Sequence, residues 1–344
     1  MIRSTTDRPV LPHYAFSTTW ILTTVGLGWL VLQGHHDFES RVTVPALVAM
    51  LVCTATLMWW LPAPSPMEQP ATTPTRRGCF ALAVVGLAGI LFGLVALAGR
   101  ALLVAFPVAA VVALAVLRQR PSRQEVLYSL GLALVAGIAG LGAGWITVDV
   151  PPTLWAGLQV ALVLTGLLAG WAILRHVGLL EIGVGRSLFL TEGTVAALRS
   201  FGRGMLIGIP WALLLVALGG SNNDTWVRLW WQPLVAIQPG IAEEVWGRVF
   251  LISLLFLALR RVGRTRLALT GAVVVAGYWF AYLHTDRGLS LNTVFSTLMM
   301  GTLYSLPLSY IWLRSGLETA VGFHFWQDFV RFVAAFLLNQ SSWL

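Results

Sequence analysis

Apolar residues in this chain neither alternate nor gather into a single stripe. They fill continuous stretches of about 20 residues, the length a helix needs to cross the hydrocarbon core, and short polar breaks between them hold most of the arginines. A helix satisfies its own backbone hydrogen bonds in lipid, so the pattern predicts spanning helices. The strict alternation of a membrane β-barrel is missing. The predicted spans are Tyr14–Gln33, Val42–Leu61, Gly78–Ala98, Ala101–Leu117, Val126–Thr147, Leu154–Leu174, Gly204–Gly220, Leu234–Leu259, Leu267–Thr285, Leu291–Leu313 and Leu317–Leu338. The fold class is therefore all-α, a polytopic transmembrane bundle of about 11 spans within a range of 10–12. The first apolar run is too long for a signal-peptide core and lacks a small-residue cleavage site, so it reads as a retained span.

Arginine placement orients the bundle. With the N-terminus in the cytoplasm, 16 arginines fall in inside segments and 4 (Arg41, Arg100, Arg228, Arg287) in outside loops, while Arg248 and Arg331 lie within spans. That asymmetry is what the positive-inside rule expects. Two longer loops punctuate the chain. Pro62–Arg77, rich in Pro and Thr, reads as a flexible cytoplasmic linker. Residues 175–203 combine apolar positions with spaced arginines and read as a cytoplasmic amphipathic linker. The expected organisation is thus residues 1–174, a transmembrane module of about six spans; 175–203, the linker; and 204–344, the chemistry-bearing transmembrane domain. Before the linker the spans carry almost no ionisable group. Glycines at 131, 137, 140, 142 and 144 fit close helix packing, or the ordinary frequency of glycine in membrane helices.

Composition then removes several function classes. The chain has 344 residues, 57% hydrophobic and 10% charged, with a net charge of +8. Its basic residues sit in short inter-span loops, which argues against nucleic-acid binding. All 22 are arginines, so lysine-based catalysis is excluded. Cys53 and Cys79 are too few for a disulfide framework or a cysteine metal site.

The ionisable residues inside the later spans carry the chemistry. A charge at the bilayer centre costs about 2.5–3.5 kcal/mol on insertion scales, so such residues need partners or a purpose. In Ile241–Phe250, Glu244 and Arg248 are four apart and share a helical face, which suits an ion pair. Glu243 shares its face with Gly247, which leaves room beside it. A desolvated carboxylate is a good general base. Pro233, Pro239 and Gly240 precede it and are expected to kink the helix or let water in. Phe280 and His284 share a face on the next span, as do His324 and Asp328 on the last, where an acidic neighbour can orient an imidazole. Each pattern also has a plain structural reading: an interhelix salt bridge, an interfacial histidine, a polar packing pair. Arg331 is spaced to pair with Asp328. Trp226, Trp230 and Trp231 read as an interfacial belt.

Taken together, Glu243-Glu244-Val-Trp-Gly-Arg248, Phe280-Ala-Tyr-Leu-His284 and His324-Phe-Trp-Gln-Asp328 resemble the EExxxR, FxxxH and HxxxN/D motifs of the CPBP intramembrane proteases, the family of CAAX prenyl protease 2 and the Abi-like bacteriocin-immunity proteins. The resemblance covers about Pro233–Leu338. It implies peptide-bond hydrolysis within the membrane. Glu243 would activate water together with His284, Glu244 and Arg248 would hold the site in shape, and His324 with Asp328 would stabilise the oxyanion or bind a metal. Asp328 stands where the prenyl-protease branch usually has asparagine, and Val249 where a glycine is common.

Two mechanisms fit these residues. In one, a divalent ion such as zinc is held by some of Glu243, His284, His324 and Asp328. In the other, which is favoured, Glu243 and His284 act without metal. The expected partners are the bilayer and a hydrophobic or lipidated peptide, with oligomeric state open and the plasma (inner) membrane of a bacterial cell as location. A proton-coupled transporter and a non-proteolytic immunity or scaffold protein are the competing readings, since buried Glu, His and Asp also build proton relays.

Overall fold

Helix is the only regular structure among the described residues, as a bilayer demands of backbone without water. The computed structural model describes residues 102–143, 150–217, 224–261, 265–285 and 290–341. The first three expected spans and both cysteines lie outside them. Helix α1 is Leu102–Leu117, α2 Arg123–Gly140, α3 Pro152–His176, α4 Leu188–Glu192, α5 Thr194–Ala217, α7 Thr265–Leu283 and α9 Leu317–Ser341. Two rods are composite. Rod α6 runs from a 3-10 turn, Gln232–Ala236, through α-helix Ile237–Glu244 and π-helix Val245–Ile252 to α-helix Ser253–Leu259. Rod α8 joins α-helix Leu291–Met300, π-helix Gly301–Ser305 and α-helix Leu306–Ser315. Among the described residues four helices are long and apolar enough to cross a membrane: Pro152–His176, Thr265–Leu283, Thr293–Ser315 and Leu317–Gln340. The protein is an integral membrane protein.

Local chemistry sets the helix ends. Ser122 and Glu125 form a reciprocal capping box at the start of α2. Arg175, in the last turn of α3, pairs with the same Glu125 and ties the two ends together. The segment expected as an amphipathic linker divides at Gly193, whose φ of +88° suits glycine, and α5 then runs unbroken from 194 through 203 and on as the expected seventh span. Glu318 fastens this region to α9. It accepts hydrogen bonds from Tyr128 Oη (3.0 Å), Ser187 Oγ (2.5 Å) and the Leu188 and Phe189 amides (3.0 and 3.1 Å).

With lipid as solvent there is little hydrophobic drive between helices, and close backbone packing does the work. Helices α5 and α9 meet through Gly204 and Gly322. A Cβ at Gly204 would lie 2.1 Å from the Thr319 carbonyl oxygen, and one at Gly322 2.1 Å from that of Phe201. Helix α3 approaches the π-helical part of α6 at Gly170, where a Cβ would sit 2.5 Å from the Val249 carbonyl oxygen. The glycines noted in the sequence split: Gly137 and Gly142 are packed, with Val160 and Trp231 at 2.6 and 2.8 Å of an added Cβ, whereas Gly131 has open space. Buried Trp171, Trp279, Trp312, Phe250 and Phe256 fill the interior around α3, α6, α7 and α8.

Candidate active site

The site grows from rod α6. Pro233 lies in its 3-10 turn and Pro239 in the first turn of the following α-helix, so the prolines start the rod and do not break it. Gly240 allows α9 to approach: a Cβ there would be 3.2 Å from Phe325 Cα. Glu243 and Glu244 are the last α-helical residues before the turn widens. Glu244 is fully buried and its Oε1 takes Arg248 Nη1 at 3.1 Å, the pairing read from the spacing. Arg248, also buried, donates from Nη2 to Ser305 Oγ at 3.1 Å and lies 4.2 Å from the centre of the Phe280 ring. Phe280 also occupies the room expected beside Glu243. An added Cβ at Gly247 would be 3.5 Å from Phe280 Cδ2, an ordinary contact, so this ring lies beside the glycine.

The two π-helical segments meet here, since Arg248 lies in one and Ser305 in the other. A π-helix displaces side chains from α-helical register and is found often at functional sites. The carbonyl of Leu303, within the second segment, accepts from Trp211 Nε1 at 2.8 Å.

The two histidines flank Glu243. His284 lies just past the last residue of α7, and its Nδ1 is 2.9 Å from the Phe280 carbonyl oxygen. A carbonyl only accepts, so Nδ1 carries hydrogen and Nε2 faces the site. His284 Nε2 is 3.5 Å from Glu243 Oε2. His324, buried on α9, places Nδ1 2.7 Å from Glu244 Oε1 and Nε2 3.7 Å from Glu243 Oε2. The same Nε2 is 3.5 Å from Asp328 Oδ2. All six residues singled out in the sequence therefore come together. The structure adds three: Ser305; Tyr304, edge-on to the His324 ring at 5.5 Å; and Asp224, whose Oδ2 lies 3.1 Å from Arg331 Nε. Arg331 in turn contacts Asp328 at 3.5 Å, the i,i+3 pair expected. Burial pushes the Asp224 carboxyl above the usual aspartate range, and Arg331 opposes that. The tryptophan belt divides, with Trp230 exposed and Trp226 turned edge-on to Phe332 at 5.1 Å. Among the described residues no three of His, Cys, Asp or Glu are grouped so as to hold a metal ion.

A membrane-embedded helical protein with paired carboxylates and histidines at one point defines a class, and comparison gives the family. Residues 225–330 match the family model of type II CAAX prenyl endopeptidase Rce1-like proteins, a stretch that includes all six site residues. Over that stretch the chain is similar to the CAAX protease family, as the three motifs suggested, and the match supports a CAAX-type intramembrane protease in general terms. The match favours neither the carrier reading nor the bacteriocin-immunity branch. Neither the curated proteins nor the solved structures compared with the chain gave a match.

Proposed function

We propose that the protein is an endopeptidase that cleaves a hydrophobic or lipid-modified peptide within the membrane, by a water molecule activated between Glu243 and His284. The observation that carries the proposal is the 3.5 Å separation of Glu243 Oε2 and His284 Nε2. It is long for a direct N–H···O hydrogen bond, and it lets both groups reach one water molecule. With Nδ1 committed to the Phe280 carbonyl, neutral His284 offers a lone pair at Nε2, and ionised Glu243 offers another acceptor.

Water attacks the scissile carbonyl carbon and gives one proton to this pair. The carbonyl oxygen becomes an oxyanion, which His324, acting as the imidazolium, stabilises by donating from Nε2 while its Nδ1–H is held by Glu244. The C–N bond then breaks, and the proton held by Glu243 and His284 passes to the leaving amine. Glu244 and Arg248 do not touch the substrate in this scheme; they fix His324 and rod α6. No step in this scheme needs a metal. In this reading the protein sits in a plasma membrane with its N-terminus inside, the orientation that the arginine distribution favours.

The test uses full-length protein in lipid nanodiscs with a quenched fluorescent peptide carrying a farnesylated C-terminal CAAX box, beside the same peptide unprenylated. Glu243→Gln is nearly isosteric and is expected to lower kcat by about 10²–10⁴-fold, the usual contribution of a positioned general base. Undiminished cleavage by that variant would sink the mechanism.

A further inference from the structure

Asp328 poses a charge problem. With Glu243 and Glu244 it makes three carboxylates facing the single imidazole of His324, at 3.5, 3.7 and 2.7 Å for Asp328, Glu243 and Glu244 in that order. Arg248 is committed to Glu244, Ser305 and the Phe280 ring. Among the described residues the arginine beside Asp328 is Arg331, whose Nη2 lies 3.5 Å from Asp328 Oδ1, the oxygen other than the one facing His324. Arg331 is held in turn. Its Nε faces Asp224 Oδ2 at 3.1 Å, and its guanidinium carbon lies 4.7 Å from the Phe332 ring centre.

Asp224 lies in the strap of residues 224–231 that leads into rod α6. The strap is tied to the end of α9: Asn339 Nδ2 donates to the Asp224 and Val227 carbonyls at 3.1 and 2.8 Å, and Gln340 Nε2 to that of Arg228 at 3.0 Å. A continuous path Asp224–Arg331–Asp328–His324 thus joins this strap to the ring placed at the oxyanion. Asp224 and Arg331 each lie one position beyond the ends of the family match.

Resting on the peptidase reading above, we infer that Asp224 and Arg331 are positioning residues of the active site: the strap carboxylate fixes Arg331, and Arg331 balances and orients Asp328 so that this carboxylate aligns His324. An amide at position 328 carries no charge and needs no cation. The pair is therefore what makes an aspartate workable here.

The full-length protein in nanodiscs, with the farnesylated CAAX peptide as probe, tests this. Arg331→Met is expected to lower kcat about tenfold or more with KM little changed, the pattern of an interaction made only in the transition state. Adding Asp328→Asn removes the unbalanced charge, and the double variant is expected to regain the activity of Asp328→Asn alone. Arg331→Lys, which keeps the cation, should lose less than Arg331→Met, and Asp224→Asn should shift kcat in the same direction. A double variant as impaired as Arg331→Met would overturn the inference, as would a harmless Arg331→Met. A second readout is independent of cleavage: ¹⁵N-histidine NMR, with the His324 signals identified by their loss in His324→Gln. Movement of those signals in Arg331→Met or Asp224→Asn supports the link, and unmoved signals in both overturn it. A wild-type protein that cleaves no peptide yet shows the movement would retire the peptidase reading and leave the coupling standing.

Discussion

Removing one charge from the buried Glu244–Arg248 pair should cost more than removing both. Glu244→Gln keeps the size of the side chain and an oxygen that can accept from His324 Nδ1, so the change is confined to charge. It leaves the Arg248 guanidinium, 2% exposed, without a counterion. Breaking a buried pair from one side costs about 3–5 kcal/mol. The Phe280 ring, at 4.2 Å, and the Ser305 hydroxyl remain as partners. A desolvated cation–π contact is worth up to about 2 kcal/mol, which places the loss near the lower end, about 3 kcal/mol. For a large chain 1 kcal/mol shifts Tm by about 2–4 °C, so the expected drop is about 6 °C or more. Thermal unfolding in detergent, followed by tryptophan fluorescence, reads it. In Glu244→Gln/Arg248→Met both charges are gone and the methionine fills much of the space, so most of the Tm should return, because apolar replacement of a buried pair is often neutral. If Glu244→Gln leaves Tm unmoved, or if the double variant loses the sum of the single losses, the pair does not hold the rod as argued.

Glycine contacts give a paired test. Gly322→Val forces a side chain against the Phe201 carbonyl and should prevent α5 and α9 from packing, seen as loss of a monodisperse peak in size-exclusion chromatography, whereas Gly131→Ala meets nothing and should be neutral or stabilising by up to about 1 kcal/mol. Phe280→Leu removes both the cover over Arg248 and the ring against Gly247, and should lower stability by about 1–3 kcal/mol in the same unfolding assay. Incubation with a strong chelator, followed by dialysis, should leave peptide cleavage unchanged; loss of activity restored by added zinc would overturn the metal-free scheme.

Much of the site was legible before any fold was known, because in lipid each charge must be accounted for. Six residues spaced as three motifs stood out from an apolar background, and the i,i+4 rule foretold the Glu244–Arg248 pair. What escaped was of two kinds. Helical periodicity assumes one pitch, and α6 and α8 both change to π-helix where they meet. Ser305 reaches Arg248 only because of how these rods cross, and Phe280 lies beside Gly247 because α7 packs against α6. Asp224, an isolated loop carboxylate, has no sequence spacing that relates it to Arg331.

The sequence by itself determined the environment and the reagents. Continuous apolar runs required helices in a bilayer, and costly charges in three of them marked the chemistry, since hydration energies depend on composition and not on shape. Tertiary structure decided which atoms face which. Glu243 lies open to two histidines while its neighbour Glu244 is shut in with Arg248, and Asp328 is shared between His324 and Arg331. Such distances are set by close glycine contacts between helices far apart in the chain, and no local pattern encodes them.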